Sequence, residues 1–182
     1  MRGKGIFILF DAVRRLLEQG EKIHLHYVGA WFGDGEEKEF CDRVALLRPG
    51  LCEFIQYHEP VYGPSKAGVF KSCDLFCFPS MIDTFPLVVL EAMSFGLPVV
   101  STYEGAIPSI VENNVTGILC EKDSVDALMV AIADLVRNES MRKSCSKEAL
   151  IAYKSKYSLE AFQSNMSKAF EWHLGKLNDK KM

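Results

Sequence analysis

Charge of one sign is not in excess in this 182-residue chain, whose formal net charge is −3. That leaves no basic field for nucleic acid or an anionic lipid surface. No apolar run approaches membrane-spanning length without charges. The stretch Met1 to Phe10 briefly imitates a signal peptide, but its apolar part is short and is broken beyond Phe10 by Asp11, Arg14 and Arg15. Internal repeats, low-complexity linkers and a Ser-His-Asp or Cys-His arrangement are also lacking. Cys73 and Cys77 have no second cysteine pair of zinc-site spacing, and Cys41, Cys52, Cys120 and Cys145 are scattered. A chain of this length folds without staples, so reduced, buried thiols in a soluble cytoplasmic protein are expected.

What is present suits one globular domain: 48% hydrophobic and 25% charged residues bury a real core and do not match a disordered segment. The spacing of Phe7, Phe10, Val13, Leu16 and Leu17 predicts an amphipathic helix over Ile6–Gln19, stopped by Gly20. Further helices are predicted over Glu36–Leu47, Ser65–Lys71, Phe85–Phe95, Ile107–Glu112, Ser124–Val136, Met141–Lys154 and Leu159–Leu174. Strands are predicted at Ile23–Val28, Glu53–Ile55, Leu75–Phe78, Pro98–Val100 and Gly117–Leu119. Residues 1–175 read as one domain and 176–182, with Lys180 and Lys181, as a fraying polar tail.

Helices alternating with short, continuously apolar strands indicate a doubly wound α/β fold, a Rossmann-like parallel sheet with helices on both faces. Ligands of such sheets bind outside the carboxyl ends of the strands. The loops after Val28, Ile55, Phe78, Val100 and Leu119 are therefore the candidates. Such a domain normally opens on a strand, whereas this sequence opens on a helix, so the first strand is expected to be missing and the chain to be a fragment.

The chemistry concentrates in Phe78 to Val100. A strand ends, a loop carries Asp83, and a helix starts with Thr84 as its expected N-cap and Pro86 in its first turn. Backbone N–H groups near Phe85 and Leu87 would face the loop rim and attract phosphate. Glu91 is the sole charge between Asp83 and Glu104, in an otherwise apolar helix. A carboxylate kept there is costly unless specifically hydrogen-bonded, either to a ligand or to a neighbouring loop's N–H groups. His24 and His26 share a strand face without a third metal ligand, and are expected to bond locally. Tyr27, Trp31 and Phe32 flank the Gly29 turn and are expected to pack as aromatics. Gly33-Asp34-Gly35 is too short for a phosphate loop.

Asp83-x7-Glu91, in its Pro-Ser-x-x-Asp-Thr-Phe-Pro…Leu-Glu-Ala-Met setting, resembles the E-x7-E motif of the retaining GT-B glycosyltransferases of family four, the group 1 glycosyltransferases. Other landmarks of that family come in order: Lys4-Gly5, Tyr27-Val28-Gly29, His58 to Gly63 with Lys66, Gly105 to Val111, Thr116-Gly117, and Tyr157-Ser158-Leu159-Glu160. The resemblance runs from Lys4 to about Phe170.

It implies the C-terminal, donor-binding half of a hexosyltransferase-type enzyme that transfers a sugar from a nucleotide diphosphate sugar with retention of configuration, without metal or further cofactor. Glu91 would accept the ribose hydroxyls, Asp83 would face the donor sugar, and Lys4 with the amides of Thr84, Phe85, Pro86 and Leu87 (proline itself having no N–H) would hold the diphosphate. Gly29, Pro60 and Val61 would complete the donor site near the base. Asp83 is one methylene shorter than the family's glutamate, Ser109 and Glu59 also depart from the pattern, and the arginine expected before Lys4 is absent, Arg2 lying too close. The acceptor, a sugar or lipid-linked glycan, would bind an absent N-terminal domain, which would also be the part to meet a membrane. The fragment alone is expected to be inactive, and its uncovered apolar surface to favour a dimer. A non-catalytic nucleotide-binding or interaction domain and a sugar-nucleotide epimerase of the same architecture are the alternative readings; the motif's context speaks against the epimerase.

Overall fold

The computed structural model describes residues 2–31, 33 and 35–179, the side chains of residues 2 and 174–179 excepted. The aromatic Phe32, Asp34 of the Gly-Asp-Gly turn and tail residues 180–182 lie outside the described residues. Helix α1 spans Ile6–Glu18, followed by strand β1 (Leu25–Val28), α2 (Glu36–Ala45), β2 (Ile55–His58), α3 (Gly63–Ser72) and β3 (Phe76–Phe78). Then come α4 (Leu87–Ser94), β4 (Val99–Thr102), α5 (Ile107–Ile110), β5 (Gly117–Cys120), α6 (Val125–Arg137), α7 (Glu139–Ala152) and α8 (Leu159–Asp179). α8 runs past residue 175 into the segment read as a polar tail.

All strand pairs are parallel, β1 with β2 and β4 between β3 and β5. Alternation along β4 and β5 explains the layering, because successive side chains point to opposite faces. Val100, Ile118 and Cys120 join the core built on α1 and α6, which includes Phe10, Val13, Leu16, Leu128 and Leu135. Val99 and Leu119 point the other way, into a second core with Val89, Met93 and Ala149 of α4 and α7. Helices therefore cover both faces, as the unbroken apolar strands require.

Two sheets are formed instead of one, and a cleft of about 900 Å³ separates them. Its walls include Leu25 and Tyr27 of β1 on one side, Phe76 and Phe78 of β3 on the other, and Ile6 and Leu9 of α1 beneath. Among the described residues, neither β1 nor β3 is paired on the edge facing this cleft.

Several expectations need correction. The strand placed at Glu53–Ile55 is Ile55–His58, because Cys52–Phe54 form a 3-10 turn instead. β2 is a sheet-edge strand with only Ile55 buried, so it lacks the continuous apolar signal of a central strand. The helix expected from Phe85 starts at Leu87, with Pro86 at its N-cap (φ −76°, ψ 102°). A residue preceding proline is biased away from helical geometry, which excludes Phe85 from the first turn. Thr84 is therefore not the cap, and no side chain takes that role. Cys41 and Cys52 are exposed, Cys73 and Cys77 half-buried, and Cys120 and Cys145 buried, all unbridged. Cys41 lies on the outer side of α2, whose buried residues are Glu36 and Phe40. No helix among the described residues is long and apolar enough to cross a membrane.

The first core can be probed in two ways. Phe10, buried among α1, α6 and the edge of Phe40, anchors it; Phe10→Ala is expected to lower unfolding free energy by about 3–5 kcal/mol, read by urea denaturation. Burial pushes the Cys120 thiol from its ordinary 9.0 up to about 11. Between those values the unfolded chain releases a proton that the native chain keeps, so stability falls as pH rises from 9 to 11. Native alkylation at pH 8 should accordingly modify Cys41 and Cys52 but spare Cys120 and Cys145, as peptide mass spectrometry would show.

Candidate functional site

The carboxyl ends of the strands gather the loops on which the candidate residues sit. The loop after β3 is fixed mainly by backbone contacts. Gly3 O accepts hydrogen bonds from Met81 N (2.9 Å) and Ser80 Oγ (3.3 Å). Buried hydroxyls of β4 hold the same loop from below: Ser101 Oγ donates to Phe78 O (2.5 Å) and Thr102 Oγ1 to Ser80 O (2.6 Å). Glycines flank it on two sides. Gly5 has φ +73°, and a Cβ there would lie 2.1 Å from Pro79 O. Gly105 has φ +52°, and a Cβ there would lie 1.9 Å from Asp83 O. Only glycine satisfies both the backbone angle and the space.

Each carboxylate of the Asp83-x7-Glu91 pair meets a lysine from another element. Lys4 Nζ lies 2.5 Å from Asp83 Oδ2 and donates also to Ile82 O at 3.2 Å, while resting 5.6 Å from the Phe78 ring centroid. The Asp83 side chain is 13% exposed and that of Lys4 45%. Lys66 of α3 lies 2.6 Å from Glu91 Oε2, with side-chain exposures of 36% and 43%. Glu91 is thus not buried, and its partner is an ammonium and not a loop amide. Only one side of α4 faces the core, through Val89, Ala92 and Met93. Its opposite side carries the exposed Leu87 and the half-exposed Glu91.

Lys4, Gly29, Pro60, Val61 and Lys66 line a single cavity, the upper end of the cleft between the sheets. Thr84, Phe85, Pro86 and Leu87 are not on its wall: Pro86 is buried, while Thr84, Phe85 and Leu87 form an exposed lip at the head of α4. Phe85 and Leu87 are the N–H-bearing residues next to that helix start, where the dipole favours an anion. Glu59 is exposed. Ser109 is exposed too, and its carbonyl accepts a 2.9 Å hydrogen bond from the Tyr157 hydroxyl.

The remaining candidates bond locally. His26 Nδ1 and His58 Nε2 are 3.0 Å apart, and His24 packs on Phe54 with ring centroids 4.9 Å apart. Partial burial, then the neighbouring His58 and His24, lowers the His26 pKa. Among the described residues no cluster of three or more His, Cys, Asp and Glu side chains could hold a metal ion. Tyr27 packs edge-on against Phe40 and donates to Ile6 O at 2.6 Å, while Trp31 lies 4.8 Å from Tyr57. The sequence reading missed the Lys66–Glu91 pair and the supporting hydroxyls of Ser101 and Thr102. Nothing local in sequence links Lys66 to a carboxylate 25 positions away.

The profile described as "Glycosyl transferases group 1" matches residues 2–151. The chain belongs to this family. The D-inositol 3-phosphate glycosyltransferase of Kribbella flavida is 27% identical over 147 residues, which cover 79% of this chain and 35% of that enzyme. The chain thus spans about a third of that relative's length. Among solved structures, Anabaena HepE in complex with UDP superimposes with a TM-score of 0.81 at 21% identity, covering 94% of this chain and 46% of HepE. The C-terminal domain of the Francisella tularensis group 1 protein LpcC gives a TM-score of 0.79 at 20% identity, covering 87% of this chain and 82% of that domain. The architecture, parallel strands with helices on both faces, is that of a GT-B C-terminal Rossmann-like domain.

The glycine contacts can be tested directly. Gly105→Ala is expected to destabilise the protein by about 1–3 kcal/mol through strain at positive φ. It should also displace the Asp83 loop, read as faster hydrogen exchange at Met81 and Ile82, whereas Gly35→Ala, with open space around it, should leave those amides unchanged.

Proposed function

We propose that this chain binds a nucleotide diphosphate sugar as the donor half of a retaining, hexosyltransferase-type glycosyltransferase. The observation that carries the reading is the pair of lysine-matched carboxylates, Asp83 and Glu91, placed on either side of the α4 start at the carboxyl rim of the sheet. Family membership and the HepE complexes with UDP and with UDP-glucose support it.

In this reading the diphosphate lies at the head of α4, over the amides of Phe85 and Leu87. Lys4 has three N–H donors, of which Asp83 and Ile82 O engage two, leaving one for a phosphate oxygen. As the bond between sugar and diphosphate breaks, negative charge grows on the leaving group. Fixed amide dipoles and a held ammonium stabilise that charge without reorganising, and no metal ion is required. Asp83, fixed by Lys4, presents its carboxylate to the donor sugar's hydroxyls. Glu91 accepts from the ribose, and Gly29, Pro60 and Val61 border the base. The acceptor, a sugar or lipid-linked glycan, binds a second half outside this chain. The cleft between the sheets, with its two facing strand edges, supports a sheet that is completed by polypeptide from that other half.

Calorimetric titration with UDP, GDP, ADP and their sugar conjugates tests the proposal. One nucleotide family should bind, and Glu91→Ala should weaken it at least about tenfold, since hydrogen bonds to a charged group contribute roughly 1.5–3 kcal/mol. Equal binding by Glu91→Ala would remove Glu91 from the ribose site, and no binding by any nucleotide would sink the donor reading.

A further inference from the structure

Lys66, on the cavity wall, and Glu91, its partner on α4, form a paired donor and acceptor. The ammonium takes Oε2 at 2.6 Å. Among the described residues no protein donor meets Oε1, which stands as an open acceptor. Lys66 Nζ retains two further N–H donors beside it. Neither group is buried, and Lys66 lines the cavity with Pro60 and Val61.

The lysine's position is set by the fold. Gly63, at φ +53°, and Pro64 start α3. Phe70, one turn beyond Lys66 on the same helix face, is buried, stacking on Phe95 at 5.3 Å and meeting Phe76 edge-on at 5.9 Å. Those contacts lock α3 against α4 and β3, and so fix the separation of Lys66 from Glu91. Exposed ion pairs contribute little to stability, so the fold itself has small need of this one.

We infer that Lys66 is a specificity-determining residue that reads the ribose of the nucleotide jointly with Glu91. A vicinal diol offers two hydroxyls, each able to donate and to accept. One donates to Glu91 Oε1 while its neighbour accepts from Lys66 Nζ. A carboxylate alone tolerates any two donors; a carboxylate beside an ammonium demands an acceptor next to a donor, which a ribose supplies and a deoxyribose does not. The ligand class is therefore a ribonucleoside diphosphate, discriminated from both deoxy forms. This inference rests on the placement of ribose at Glu91 proposed above.

The test uses whichever of UDP, GDP and ADP binds the unmodified chain most tightly, together with its 2′-deoxy and 3′-deoxy counterparts. Calorimetry is run on wild type, Lys66→Met, Lys66→Arg and Glu91→Gln, with thermal midpoints as a check of folding. Wild type should prefer the ribo form over each deoxy form by about tenfold. Lys66→Met should bind the ribo form about tenfold more weakly and lose its preference over one deoxy form, while Lys66→Arg keeps both preferences. Unchanged preferences in a folded Lys66→Met, or tighter binding, would overturn the role of Lys66 while leaving Glu91 in place. Loss of discrimination in Glu91→Gln alone would overturn it equally. Failure of wild type to bind any nucleotide would remove the donor reading and this inference together.

Discussion

The loop after β3 reaches its position only because two neighbouring backbones have no Cβ. Gly5 approaches Pro79 O and Gly105 approaches Asp83 O so closely that an alanine at either place would overlap a carbonyl oxygen. Both glycines also hold positive φ. The clasp fixes where Asp83 sits, where the chain turns into Pro86, and hence where α4 begins. Buried hydroxyls of Ser101 and Thr102 then donate to the carbonyls of Phe78 and Ser80, where β3 gives way to the loop. A side-chain geometry at the rim is thus decided by main-chain packing several residues away.

On that frame, the site's charges come already compensated. Lys4 faces Asp83 and Lys66 faces Glu91, from elements on opposite sides of the α4 start. Two carboxylates near the proposed diphosphate position, Asp83 largely covered and Glu91 half-exposed, would otherwise repel that group. Pairing each with an ammonium cancels that repulsion while leaving spare N–H donors and a spare carboxylate oxygen for a ligand. For Lys66 and Glu91 the cost of assembling the pair is small, because water still screens both partners at their exposure. A fixed array of dipoles and matched charges is what electrostatic catalysis requires, since it need not rearrange as charge develops.

How much of this was legible in the sequence depended on how local the determinant is. β4 and β5 are legible because strands buried on both faces carry apolar runs, and β3 because Phe76–Phe78 is continuously apolar although only half-buried beside the cleft. β2 was misplaced because Ile55–His58 alternates at a sheet edge and resembles a loop. The head of α4 lies two residues beyond the sequence expectation: Thr84 has the chemistry of a cap, but Pro86 biases Phe85 away from helical geometry and moves the helix start to Leu87. Glu91 stood out correctly as an anomaly, yet its environment was misjudged, because an apolar helix can still turn one side toward a rim. The identities of Gly5 and Gly105 were visible, whereas the carbonyls they make room for were not. Pairings such as Lys66 with Glu91 depend on how α3 packs against α4, which no spacing encodes.

The division of the strands into two sheets gives α1 an unusual burden. It joins β1 through the Tyr27 hydroxyl on Ile6 O, meets the β3 loop through Gly3, Lys4 and Gly5, and packs along α6 over β4 and β5. On the opposite side, α3 makes the matching link through Phe70 and Lys66 to α4. Gly29, Pro60 and Val61 therefore belong to one sheet's rim and Asp83 and Glu91 to the other's, with α1, the turn before it and α3 among the links between them. On the proposed reading a nucleotide lies across both rims, and no strand ladder joins the two surfaces that would meet it among the described residues. Part of any intrinsic affinity is then spent on ordering their separation. Polypeptide inserted as a strand between β1 and β3 would fix it by hydrogen bonds along both edges. On the proposed reading, donor affinity in a completed sheet exceeds that of this chain without any new contact to the nucleotide.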